Sequence, residues 1–343
     1  MKIKLLFFIT KPYSISIITP IESFCERKPN IETAWFTVGD TGSTSFKSKV
    51  LHSTEEVNGF AADAIIVPGN IVPDFWPGIK VQIFHGLCEE KRGHYDITGF
   101  FDLYCTPGPV MTENFLSLQE KYGTFLVKET GWSKLDIMFN HKPIEECKAE
   151  MGLDPPKPTV LYAPTFSKRY TSSSDLFHEI KVLQNQDWQW IAKFHDLEEK
   201  DVIKQYELFA SDHFRIIKDE GILPWIFAAD ILITDTSSVA YEFLPLNRPI
   251  VTYRATTRLD KGIDIMNPQE LHGALIRSLE DPLEFNESRK NYLNDLHPYR
   301  DGKSSERIVK AISESLKSEE LNNLKSKPLN WFRKRQIRKI VTE

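Results

Sequence analysis

Short apolar runs alternate with longer amphipathic stretches along most of the chain. Residues 3–9, 32–37, 64–67, 80–84, 103–106 and 125–127 are dense in apolar side chains. Several of these runs end in Gly, Pro or Asp, so they read as buried strands feeding loops. Between them, 14–26 and 110–122 carry apolar residues at helical spacing. Buried strands separated by helices are the rhythm of a parallel sheet with crossover connections. A stretch rich in Pro, Gly and Asp at 151–158 interrupts this rhythm, which then restarts. Strands are predicted at 159–163, 189–193, 214–217, 231–234 and 249–253, and helices at 175–184, 197–211, 223–228, 238–244 and 269–279. The expectation is an α/β chain of two Rossmann-like domains, 1–150 and 151–316, followed by a tail at 317–343. The two domains are expected to face each other across a ligand cleft at the carboxyl ends of their strands.

Composition narrows the class. A chain of 343 residues exceeds one ordinary core, and 41% hydrophobic with 27% charged residues excludes global disorder. The 43 Lys and Arg against 48 Asp and Glu give a net charge of −5, which excludes a nucleic-acid binder acting through overall charge. The charge is uneven, however. Residues 325–340 hold Lys325, Lys327, Arg333, Lys334, Arg335, Arg338 and Lys339 without an acid, interleaved with Leu329, Trp331, Phe332 and Ile337. A basic amphipathic tail on an acidic body points to an anionic membrane surface, against the alternative that it packs back on the N-terminal domain. The first apolar run stops at Lys11 and Pro12, and no apolar segment reaches about 18 residues. The expected location is therefore cytoplasmic, peripheral at most to the inner face of the cell membrane. Cys25, Cys88, Cys105 and Cys147 form no Cys-x-x-Cys pair, which fits a reducing compartment and thiols that are buried or free.

Five segments carry candidate chemistry. In the first, an apolar strand runs into Asp235, and Ser237 and Ser238 then open a helix whose unpaired N–H groups suit a phosphate or need only a cap. Two further strands end in a histidine, at Phe84-His85-Gly86 and at Lys193-Phe-His195, where a proton acceptor or donor is useful near neutral pH. Tyr162-Ala-Pro-Thr165 turns a strand toward Lys168 and Arg169, and Asp301-Gly-Lys-Ser-Ser-Glu-Arg307 precedes an amphipathic helix that suits an anion or a plain cap. There is neither a Walker loop nor Gly-x-Gly-x-x-Gly, so kinase-like and dinucleotide readings lose support.

Taken in order, these five motifs resemble the CDP-glycerol glycerophosphotransferases, the teichoic-acid-type primases and polymerases, over about residues 80–310. Thr130-Gly-Trp-Ser-Lys-Leu-Asp136 is similar to a further stretch of that family. Phe84, Thr236 and Asp196 stand where the family usually has Trp, Tyr and Pro. The resemblance implies a GT-B fold and transfer of glycerol phosphate from CDP-glycerol to a hydroxyl of a surface glycan or lipid-linked polymer, releasing CMP. It implies His85 as general base and His195 as stabiliser of developing charge. Ser237, Ser238, Thr165, Arg169, Glu242, Asp235 and Lys303 would then serve the donor and its phosphates, with no cofactor and no metal. A CDP-ribitol-type donor, a GT-B glycosyltransferase or sugar-nucleotide epimerase, and a surface-polysaccharide binding protein remain open as alternatives.

Overall fold

The computed structural model describes residues 2–39, 46–87, 92–184, 187–218 and 221–342, so Cys88 lies outside the described residues. The chain divides into two compact units, Met1–Asn140 with Asn294–Glu343, and His141–Leu293.

The first unit is built on strands β1 (Ile3–Ile9), β2 (Ile31–Thr37), β3 (Lys49–Val50), β4 (Ala64–Val67), β5 (Ile79–Gln82), β6 (Leu103–Thr106) and β7 (Leu126–Glu129). They pair in parallel in the order β3-β2-β1-β4-β5-β6-β7. β1, β4 and β6 are almost wholly apolar because crossover helices cover both faces of such a sheet. One crossover, Pro109–Tyr122, starts with Pro at its first turn and ends on Gly123 at φ +67, the asymmetry that fixes a helix between two strands. Glu22 is buried on the helix Ile15–Glu26 and is satisfied by the Trp35 indole N–H at 2.7 Å and the Ser48 N–H at 2.9 Å.

The second unit repeats the plan. β8 (Thr159–Tyr162), β9 (Gln189–Ala192), β10 (Phe214–Ile216), β11 (Ile231–Thr234), β12 (Ile250–Tyr253) and β13 (Ile263–Ile265) form a parallel sheet in the order β10-β9-β8-β11-β12-β13. In both sheets the chain winds outward from one strand and then returns to its other side. This leaves a switch point between β1 and β4 in one unit and between β8 and β11 in the other, where outgoing loops diverge.

The two-sheet α/β expectation holds, and its boundaries shift. Residues 141–150 belong to the second unit and 294–316 to the first. The latter segment is anchored because the Ser304 and Ser305 N–H groups at the start of helix Ser304–Lys317 donate to Asp136. The basic tail is also part of the first unit. Lys327 pairs with Asp102 and donates to the Phe100 carbonyl, Asn330 donates to the Thr98 carbonyl at 2.6 Å, and Lys334 pairs with Asp74 at 3.0 Å. Ile337 on the helix Trp331–Thr342 is only 2% exposed, in the same core as Phe8 and Trp76. Gly99 lies at φ +77 against Pro328, and a Cβ there would overlap the proline ring.

The helix expected at 238–244 is five residues long, Val239–Phe243, and continues as a 3-10 turn because Pro245 cannot extend it. Cys25, Cys105 and Cys147 are free and buried; burial pushes the Cys105 thiol up to about 12, which makes it unreactive.

Candidate active site

In the first unit, β5 delivers Ile83 and Phe84 into a tight turn. Phe84 is fully buried, at φ +60, a left-handed conformation that a bulky residue adopts only under constraint from its surroundings. Its carbonyl accepts the Trp132 indole N–H at 3.1 Å. This kink directs His85 off the strand end, where its Nε2 lies 3.3 Å from Nε2 of buried His94. The two rings meet edge to face at 4.6 Å, and the Tyr13 ring lies 6.2 Å from His85. One of the two facing nitrogens donates and the other accepts, so a single N–H···N hydrogen bond joins the rings. His94 is a residue the sequence reading missed, since only a Gly-His pair in a loop marks it.

In the second unit, the residues after β8, β9 and β11 converge. Asp235 ends β11 and is 1% exposed. Its carboxylate accepts the Thr165 N–H at 2.9 Å and the Ser172 N–H and hydroxyl at 2.9 Å. Burial pushes its carboxyl up to about 6, partly offset by these bonds. Asp235 therefore holds a loop, and both its oxygens are engaged by the protein. The loop returns Phe166 to His195, with ring centroids 4.2 Å apart. His195 Nδ1 accepts the Leu197 N–H at 3.1 Å, which places the proton of the neutral ring on Nε2 and makes that atom a donor.

Ser237 and Ser238 are half-buried at the next turn, and Ser238 makes no side-chain capping bond. With only five helical residues behind them, the dipole is small. Phosphate binding there would rest on local N–H groups and hydroxyls. Glu242 follows on the same short helix, partly exposed. A cavity of about 400 Å³ in this unit is lined by Phe166, Lys168, Arg169, Tyr170, Glu198 and Arg254. Lys168 pairs with Glu199 at 2.6 Å and Arg254 with Asp175 at 3.3 Å, whereas Arg169 is exposed beside the Tyr170 ring.

Lys303 stands apart from this group, in the first unit. The helix end that follows it is already occupied, because Asp136 accepts the Ser304 and Ser305 N–H groups at 2.7 and 2.8 Å. The anion expected at this motif is the protein's own carboxylate. Arg307 is likewise engaged, paired with Asp301 and 3.9 Å over the Tyr299 ring. Among the described residues no group of three or more His, Cys, Asp or Glu side chains is arranged to hold a metal ion.

Two doubly wound parallel units with polar chemistry at their strand ends define a protein of the GT-B class. The family profile CDP-Glycerol:Poly(glycerophosphate) glycerophosphotransferase matches residues 99–314, and the chain belongs to that family. It is 29% identical over 175 residues to the teichoic acid glycerol-phosphate primase of Bacillus subtilis (strain 168), covering 46% of this chain and 43% of that protein. It is 28% identical over 224 residues to the teichoic acid poly(glycerol phosphate) polymerase of Bacillus spizizenii, covering 60% and 55%. The chain thus spans about half the length of these curated relatives. The solved structure of the wall teichoic acid polymerase TagF matches with a TM-score of 0.69 at 16% identity, over 92% of this chain and 89% of that one; the fold is shared.

Proposed function

We propose that the chain transfers glycerol phosphate from CDP-glycerol to a hydroxyl of a teichoic-acid-type polymer or other surface glycan, with release of CMP. The observation that carries this reading is the family match, which encloses all of the second unit and its switch-point residues. The acceptor hydroxyl loses its proton to His85 as its oxygen bonds to the phosphorus bearing glycerol. The phosphorus–oxygen bond to CMP breaks, and its electron pair leaves on the CMP phosphate. Positive charge and hydrogen bonds on that phosphate come from the Nε2–H of His195, from Ser237 and Ser238, and from Arg169. Glu242 accepts ribose hydroxyls, and Thr165 contributes its side-chain hydroxyl, its N–H being held by Asp235. Asp235 supports this set and Lys303 is outside it.

Incubation with CDP-glycerol and a phosphoglycerol-terminated acceptor, with CMP measured against time, tests the reading. Parallel incubations with CDP-ribitol and UDP-sugars separate it from its rivals. CMP release from CDP-ribitol alone reassigns the polyol, and UDP release alone reassigns the enzyme to sugar chemistry.

The same proposal places the protein at an anionic membrane surface. Among the described residues no helix is long and apolar enough to cross a membrane. Leu329, Trp331 and Phe332 are 70, 75 and 89% exposed around the start of the last helix. Arg335, Arg338 and Lys339 are exposed further along it, Arg338 also lying 5.2 Å over the Phe75 ring, and Lys327, Arg333 and Lys334 contact the protein more closely. An aromatic wedge beside outward cations suits an anionic leaflet, at about 1 kcal/mol per cation. Co-sedimentation with anionic vesicles, and its loss in Trp331→Ser/Phe332→Ser, tests this; indifference to anionic vesicles at low salt removes the membrane from the proposal.

A further inference from the structure

Three donors converge on Asp235, and they come from the two ends of one short loop. Thr165 opens the segment and Ser172 closes it. The Ser172 hydroxyl also meets the buried Tyr162 hydroxyl at 3.0 Å, and the Tyr206 hydroxyl donates to the Ser173 carbonyl at 2.7 Å. The closing end is therefore anchored in the core; the opening end leaves β8 at Ala163, which is bonded to Ile233 and Thr234, and the Thr165 bond is the last tie before Phe166. Between the two ends lie Phe166, Lys168, Arg169 and Tyr170, all exposed and all lining the cavity.

Phe166 is the residue through which the loop reaches the chemistry. His195 is exposed at the end of its strand, where an imidazole can rotate about its last bond. The Leu197 N–H fixes one edge of the ring, and the Phe166 ring, 4.2 Å away at 37°, confines its face. We propose that Asp235 is a positioning residue: by gripping both ends of loop 165–172 it keeps Phe166 on His195 and so sets the direction in which the imidazole presents Nε2–H. This inference rests on the donor-side role given above to His195.

The choice of a carboxylate follows from counting lone pairs. Two oxygens that only accept can serve two N–H groups and a hydroxyl together. An amide has one accepting oxygen, and in either orientation it would turn its own N–H₂ toward one of the two backbone N–H donors, Thr165 or Ser172. With its carboxyl at about 6, Asp235 is ionised at neutral pH, and the bonds it accepts are charge-assisted.

Asp235→Asn is the test, read in two ways on the full chain. In the ligand-free protein, NMR of the His195 ring protons reports the Phe166 ring current; Asp235→Asn moves them toward the values of a free imidazole, and Phe166→Leu moves them in the same direction. With CDP-glycerol as substrate, Asp235→Asn lowers kcat up to about 100-fold, the scale of a small misplacement of a reacting group. His195 resonances that remain at their wild-type positions in Asp235→Asn overturn the proposal. Should that variant not fold, Ser172→Ala, which removes one of the three bonds, decides in its place by the same shift. The NMR arm needs no turnover, so a wild-type chain inactive on CDP-glycerol defeats the transferase reading without touching the loop argument.

Discussion

The two units share a winding order and solve the same local problem by opposite means. Each holds a histidine just past the end of a strand. The first does it with backbone: Phe84 is forced to φ +60 and His85 leans on a second histidine. The second does it with side chains, a buried carboxylate holding a loop and an aromatic ring covering His195. A strained backbone has little freedom to readjust, whereas a loop held by hydrogen bonds can be released by one substitution. The second histidine is therefore the more easily misplaced of the two.

The largest effect expected from this contrast is in the first unit. His85→Ala lowers turnover by about 100-fold or more, the usual scale for a lost general base, and leaves CMP affinity of the second unit unchanged. Steady-state CMP release together with calorimetric CMP titration checks this, and near-normal turnover removes His85 from the base role.

A second comparison concerns the two motif aspartates, Asp136 and Asp235. Each accepts two backbone N–H groups, from Ser304 and Ser305 in one unit and from Thr165 and Ser172 in the other. Both stand in segments that the family resemblance singles out, and both hold the protein's own backbone. Asp136→Ala orphans the first turn of a 14-residue helix in a buried setting. It is expected to lower the unfolding free energy of the first unit by about 2–3 kcal/mol. A denaturant midpoint that stays in place would mean the helix end finds other partners.

This is also where the sequence was legible and where it was not. Strands such as β1, β4, β6 and β11 could be placed to the residue, because a strand buried on both faces is a continuous apolar run with polar ends. The edge strands Lys49–Val50 and Ile263–Ile265 left no such trace, being short and partly exposed. The helix Asn286–Leu296 was hidden by its polar sequence. The motifs correctly marked the strand ends that carry His85, His195 and Ser237. They could not say which of their residues face a ligand and which face the protein, because an N-cap carboxylate and a phosphate ask for the same N–H groups. The tail's docking through Ile337 and Lys327 depends on Asp102 and Phe100, more than 200 positions away, and no local pattern encodes it.

Acid should separate the two units. His297 in the first is buried and its imidazole is lowered to about 4 by desolvation, against 6.5 when exposed. The unfolded chain binds this proton first, so His297 stabilises the fold fully above 6.5 and progressively less as pH falls toward 4, by about 2 kcal/mol at pH 5. Asp235 in the second unit has the opposite sign: its folded value of about 6 lies above the exposed value of 3.8. The folded form therefore takes up the proton first, and acidification from 7 to 5 stabilises that unit by about 1 kcal/mol. Amide exchange followed by unit, at pH 7 and pH 5, should show protection falling in the first and holding or rising in the second. Parallel loss in both would mean that other groups dominate, and His297→Asn, by removing the titrating ring, would identify how much of the first unit's loss is this one site.

The smallest effect expected concerns His94. Its Nε2 stands 3.3 Å from that of His85 in a buried position, so replacing it by Phe keeps an aromatic ring and removes the hydrogen bond. His85 then lacks that hydrogen bond. Loss of one hydrogen bond to a reacting imidazole is worth about 1–1.5 kcal/mol, so turnover should fall about tenfold while KM for CDP-glycerol is unaffected, the donor being assigned to the other unit. His94→Gln offers both a donor and an acceptor at similar reach and should recover most of the loss. If Phe and Gln behave alike, His94 serves only to fill space behind His85, and its hydrogen bond is not what holds that histidine.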